Sequence, residues 1–329
     1  MKPLKLLQGI AVSVVAFGFA ASVQAADVFK FAHVYEIDHP LHKSAVMAAE
    51  EIAKLTDGRV EIKVYPSSSL GKETALNEGL SLGTVDIIFT GGGFAGSTYG
   101  PISMSDYPFT LRGVEHWKSY RDSDLFKEMA AGYKDATGGM AEVAAFSYYG
   151  ARHVTANKAI LKPEDMKNLK IRVPNAPSYV LFPKAVGANP TPMAFSEVYL
   201  ALQQGVVDAQ ENPLTTIQAK KFYEVQSDIS LTGHISNSIL TLVSSMKLKK
   251  LSDEDRAALL GVLKSTAAWS SDQIIQAEQE LAEWFREKGI TVSEVDRAPF
   301  MAMVKPALTE KGMPFTPEMY ERLQALPGN

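Results

Sequence analysis

Two arginines carry the clearest chemistry in this sequence. Arg172 sits inside an apolar run, Ile171-Arg172-Val173, next to Pro174. A guanidinium in such a place cannot be left unpaired. Either it makes a buried ion pair with a carboxylate of the chain, or it clamps the carboxylate of a ligand, for which its planar fork is suited. Arg152 lies twenty positions earlier in Gly150-Ala151-Arg152. Asn212, in Gln210-Glu211-Asn212-Pro213, ends what reads as a strand, where its amide can both donate and accept. His33 ends the first strand, and ligands of open α/β sheets bind beyond the carboxyl ends of strands. It is a candidate ligand contact or a capped structural histidine.

Other motifs point away from catalysis. Gly91-Gly92-Gly93-Phe94-Ala95-Gly96 matches GxGxxG after a strand, but a dinucleotide site needs a helix to begin there. Ser97-Thr98-Tyr99-Gly100-Pro101 follows and reads as continued loop, either a tight turn or a stretch of backbone N–H groups facing a ligand. The six histidines form no HExxH, and His39-Pro40-Leu41-His42 lacks the helical i, i+4 geometry of a metal pair. No GxSxG elbow occurs. No metal and no cofactor is implied.

Lys2 and Lys5 precede an apolar stretch from Leu6 to Ala21, and Val23-Gln24-Ala25 supplies small residues for cleavage. Residues 1–25 read as a secretory signal peptide, so the mature chain is expected to begin at Ala26 and to be exported. The stretch is short of the roughly 20 apolar residues of a membrane span. The chain has 33 basic and 37 acidic residues, net −4, and no basic run, which argues against nucleic acid as a partner. It has no cysteine, hence no disulfide, thiolate metal site or cysteine nucleophile. At 329 residues it is long enough for two lobes.

The elements that would hold these residues alternate. A strand over 28–34 precedes a helix with Leu41, Ala45, Ala48, Ile52 and Leu55 on one face. Val60, Ile62 and Val64 alternate with charged residues as a strand. A helix over 73–82 leads to a buried strand over 85–89. The order returns at 170–173 and from 196 onward, and Leu80-x-x-Gly83-x-Val85-Asp86 is echoed by Leu202-x-x-Gly205-x-Val207-Asp208. Both read as a helix end, a glycine cap and a strand entry, which favours two similar α/β lobes. Ser252 with Asp255 resembles a capping box. One unbroken helix over 253–288 would be about 54 Å long and could bridge two lobes; Gly261 or Ser270-Ser271 could instead divide it.

The linked motifs Tyr149-Gly150-Ala151-Arg152, then 169–177 (Leu-Lys-Ile-Arg-Val-Pro-Asn-Ala-Pro), then 190–213 resemble the DctP-type solute-binding proteins of tripartite ATP-independent periplasmic (TRAP) transporters. The resemblance covers nearly the whole mature chain. It implies an α/β clamshell of two lobes, each a mixed sheet flanked by helices, with a long bridging helix. Lobe I would take 26–149 and about 238–277, and lobe II 150–237 and about 278–329. It further implies a monomer without catalysis that closes on a small organic acid and delivers it to membrane permease subunits. Arg172 would pair with the ligand carboxylate, with Arg152 and Asn212 assisting, and Glu73, Asn175 and Phe195 would line the pocket. The sequence departs from the sialic-acid-binding branch, where a glutamate is expected at about the position of the triple glycine. Gly91, Gly92 and Gly93 would leave space or backbone donors there. With His33 and Glu73 suited to hydroxyl groups, the expected ligand is a sugar acid or short polyhydroxy acid. A C4-dicarboxylate or 2-oxo acid is the alternative ligand, and an exported enzyme acting on a hydroxy acid the alternative class.

Overall fold

A computed structural model describes residues 26–328; the expected signal peptide lies outside the described residues. The strands are β1 (Asp27–Ala32), β2 (Val60–Tyr65), β3 (Ile87–Gly91), β4 (Ala141–Ala156), β5 (Lys170–Val173), β6 (Asn189–Pro192), β7 (Ala209–Pro213), β8 (Asp228–Ser244) and β9 (Thr291–Glu294). They join in one sheet of order β2-β1-β3-β8-β4-β7-β5-β6, with β9 also on β8. β1 pairs in parallel with β2 and β3, and β5 pairs in parallel with β6 and β7. Each half is therefore the same three-strand unit. Between them run β4 and β8, antiparallel strands of 16 and 17 residues that serve both halves.

The echoed motif does the same work twice. Gly83 and Gly205 take left-handed backbone, φ 73° and 68°, where a side chain would be strained. The carboxylates of Asp86 and Asp208 then accept from the backbone N–H of Lys30 (2.8 Å) and Lys170 (3.0 Å) at matching places on β1 and β5.

The lobes are not separate sheets. The β4–β8 ladder slips between Tyr148 and Gly150 and again between Arg152 and Val154. Such bulges bend a strand and raise its twist, so the continuous ladder folds into two lobes at the height of Arg152. Gly150, at φ 115°, sits in the bend. Glu278 on the long helix accepts from the Ala151 N–H there, and Ser271 accepts from the Tyr148 N–H at 3.0 Å.

That helix runs unbroken over Asp253–Glu287, 35 residues. The division at Gly261 or Ser270-Ser271 does not occur: both serine hydroxyls fold back onto the Ala267 carbonyl, 2.9 and 2.7 Å away. Half of the capping box forms. Ser252 Oγ accepts from the Asp255 N–H (3.0 Å), while Asp255 pairs with Arg59 instead of reaching back. Leu259, Leu263 and Ile274 belong to the main core, and Leu281 and Phe285 to a second core with Val198 and Phe222. The helix thus bridges both. Leu55, expected on a buried helix face, is 62% exposed at the end of its helix.

The C-terminus departs from the expected partition, which put 278–329 in lobe II. The helix Pro317–Gln324 packs on residues 112–128, on the β1–β3 side. Arg112 donates to the carbonyls of Leu326 (2.8 Å) and Gly328 (2.9 Å), and Arg322 pairs with Glu128 (2.8 Å). These are side-chain contacts between distant segments, with no signature in local sequence.

Candidate solute-binding site

A cavity of about 480 Å³ lies where the strand ends of the two halves face each other. β5 contributes Arg172, β7 Asn212, β4 Tyr149 and Arg152, and β3 Gly91; Glu73 opens the helix Glu73–Leu82, Phe195 opens the 3₁₀ turn Phe195–Glu197, and Asn175 stands on a loop. This is the place at which α/β sheets bind ligands.

The two arginines differ in what the chain gives them. Arg152, 2% exposed, donates through Nε and Nη2 to the carboxylate of Glu211 (Nη2–Oε1 2.7 Å). Its Nη2 also reaches Asn212 Oδ1 (3.2 Å), and Nη1 reaches Asn237 Oδ1 (2.9 Å). Glu211 is buried too and meets His234 Nε2 at 3.1 Å. Arg172, equally buried, has no carboxylate within ion-pair distance among the described residues. Its Nε and Nη2 share one backbone carbonyl, Met193 O, at 3.1 and 2.8 Å. Nη1 has no partner. Burial pulls Arg172 down to about 10, still cationic at neutral pH. The internal ion pair that sequence offered as one reading of Arg172 belongs instead to Arg152.

Asn212 is held from both ends, its Oδ1 by Arg152 and its Nδ2 donating to Gln210 Oε1 (2.6 Å). Glu73 Oε1 accepts from the Gly91 N–H (2.8 Å) and the Thr90 hydroxyl (3.0 Å). Burial, working against those two bonds, raises Glu73 to about 7. The folded chain therefore holds a proton there over a range where the unfolded chain has lost it. The stability this brings is full below the ordinary carboxylate value of 4.5 and is lost as pH rises through about 7. Glu73→Gln, neutral throughout, should lose less melting temperature than wild type between about pH 5 and about pH 8. Equal losses would contradict the assignment.

Two expectations need correction. The triple glycine is not a loop of free donors: Gly91 ends β3, and Gly92–Ala95 forms one helical turn. The Gly91 N–H is taken by Glu73 and the Gly93 N–H by Asp106 Oδ2 (2.9 Å), and of the three glycines only Gly91 lines the cavity. His33 does not line it either. Fully buried among Phe31 and Phe89, its Nδ1 accepts from the Tyr35 N–H (3.2 Å) and its Nε2 faces His42. Burial lowers it to about 3, so it stays neutral. Asn175 does line the cavity, from an exposed position after β5.

Tyr35, Tyr149, Tyr179 and Asn237 line the cavity and were not singled out from sequence. Tyr35 lies two positions beyond His33, and the strand-end argument applies to it equally.

The halves also touch across the cleft. Lys72 pairs with Glu197 and Glu36 with Lys220, while His39 Nε2 meets Thr216 Oγ1 at 3.2 Å. The first pair is about half exposed on both sides and so contributes little, whereas Glu36–Lys220 is better covered. Glu36→Lys should speed ligand release several-fold, and adding Lys220→Glu should restore it. Stopped-flow release that is the same for all three proteins would contradict a closing role.

Two lobes on a shared ladder, with a buried unpaired cation between them, define a binding protein of the clamshell class. The chain belongs to the bacterial extracellular solute-binding proteins, family 7, the DctP family, whose profile matches residues 31–312. It is 33% identical over 309 residues to the sialic acid-binding periplasmic protein of Vibrio cholerae, covering 93% of this chain and 95% of the relative. Two solved TRAP periplasmic solute-binding proteins share the fold. One from Polaromonas, bound to D-erythronate, has TM-score 0.87 and 30% identity, covering 92% of this chain and 99% of that one. The other, from Roseobacter denitrificans with bound L-galactonate, has TM-score 0.85 and 31% identity, with the same coverage.

Proposed function

We propose that this protein is the periplasmic solute-binding component of a TRAP transporter. It captures a sugar acid or short polyhydroxy acid, performs no catalysis, and works as a monomer that hands its ligand to the membrane permease. The observation that carries this reading is the unpartnered Nη1 of Arg172, on a buried cation that lines the cavity. A ligand carboxylate supplies the missing acceptor.

The same bookkeeping of partners favours one carboxylate over two. The cavity is lined by three cations, Lys72, Arg152 and Arg172. Glu197 occupies the first and Glu211 the second. A dicarboxylate would bring a second charge to a site with one open cation and Glu73 already in its wall. Amides and phenols of Asn212, Asn237, Tyr35 and Tyr149 instead suit hydroxyl groups. The relatives bound to L-galactonate and D-erythronate support that class.

A thermal-shift screen tests the reading, because a ligand that binds only the native state raises its melting temperature. L-Galactonate or D-erythronate should shift the protein more than succinate or pyruvate at equal concentration. A larger shift with succinate or pyruvate, or none with any acid, would overturn it.

A further inference from the structure

The glycine triad and Tyr179 fit each other in a way that assigns Tyr179 a role. Tyr179 stands after β5, on the helix Pro177–Ala185, while Gly91 ends β3 on the other half and Gly92, Gly93 and Asp106 follow it. The Tyr179 hydroxyl donates to Asp106 Oδ2 at 2.8 Å, and the same oxygen accepts from the Gly93 N–H. The Arg152 guanidinium lies over the tyrosine ring, 4.9 Å from its centroid. A side chain at Gly91 or Gly93 would collide with this tyrosine. A Cβ at position 91 would stand 2.7 Å from the Tyr179 hydroxyl, and one at 93 would stand 2.8 Å from Tyr179 Cε2 and 2.4 Å from Ser178 Oγ. Tyr179 and Gly91 both line the cavity.

We propose that Tyr179 is a specificity-determining wall of the solute site. It is seated against the side-chain-free Gly91 and Gly93 and tied across the cleft through Asp106, so that it bounds the length of acid the site accepts. This rests on the organic-acid reading above. The glycines are there to admit the tyrosine, and the tyrosine takes up space that a longer acid would need. A wall held by a hydrogen bond at its tip and a cation over its ring does not move aside cheaply.

Two arms test this. In the first, calorimetry compares L-galactonate with the nine-carbon acid N-acetylneuraminate. Tyr179→Ala should shift the affinity ratio toward the longer acid by about tenfold or more; a ratio within about threefold of wild type would overturn the proposal. The second arm holds even if that variant fails to fold. Gly91→Ala should weaken L-galactonate binding about tenfold, because its methyl meets the phenol oxygen. In the Tyr179→Phe background, where that oxygen is gone, the same change should cost threefold or less. Equal costs in both backgrounds would overturn the proposal. Should wild type bind neither acid, the ligand class above has failed. The seating is then read from melting temperatures of the same four proteins, where Gly91→Ala should destabilise more with Tyr179 present than in the Tyr179→Phe background, and equal losses would overturn it.

Discussion

Arg172→Ala is expected to lower affinity for the bound acid by about 10²–10⁴ while leaving the unliganded protein at least as stable as wild type. The first half follows from breaking a buried charged pair, which costs about 3–5 kcal/mol when one partner is removed. The second half follows from the partners Arg172 lacks. A guanidinium 2% exposed, with Nη1 unsatisfied and only a shared carbonyl for the rest, pays desolvation without an ion pair in return. Arg172→Met, which also fills the volume, should raise the unliganded melting temperature. Arg172→Lys keeps charge but not the fork and should fall between wild type and alanine in affinity. Titration calorimetry beside melting curves checks all three. A folded alanine variant that binds within about threefold of wild type would refute the clamp.

Arg152 should behave in the opposite way. Arg152→Met strands Glu211 in the interior beside His234 and removes the groups that orient Asn212 and Asn237. The expected loss is about 3–5 kcal/mol of folding stability, on the order of 10 °C in melting temperature. The double variant Arg152→Met, Glu211→Met should recover much of it, since an apolar pair of similar volume can replace a buried ion pair. Urea unfolding of the wild type, single and double variants measures this. An Arg152→Met protein with unchanged stability but no binding would show that Arg152 is itself a carboxylate clamp.

The contrast between these arginines marks what sequence could and could not say. An arginine between Ile171 and Val173 announces a buried charge that needs a partner, whatever the fold. Which arginine finds its partner inside the chain depends on register: Glu211 reaches Arg152 because β7 lies antiparallel on β4, with Arg152 opposite Pro213 and His153 opposite Asn212. No local pattern encodes that pairing. The repeated three-strand unit was legible because its signals are local, a glycine cap and an aspartate three residues later. The long helix was legible for the same reason, and of the two serines that suggested a break, Ser271 docks the helix on the bend of β4.

The errors share a cause as well. His33 was chosen by its place at a strand end, but the side chain turns into the core and Tyr35 takes the cavity. The glycines offer space or backbone donors, or a plain tight turn, because glycine exposes backbone, yet Glu73 and Asp106 already take the N–H groups of Gly91 and Gly93 from elsewhere in the chain. Both mistakes concern which of two plausible partners a group meets, and that is decided by tertiary packing.

The arginine clamp is tested by a crystal structure of the protein with L-galactonate, or with whichever acid gives the largest thermal shift. The clamp requires a carboxylate oxygen of the ligand within hydrogen-bond distance of Arg172 Nη1, with Arg152 still paired to Glu211. A carboxylate held by Arg152 or Lys72, with Arg172 Nη1 still lacking a partner, would contradict it.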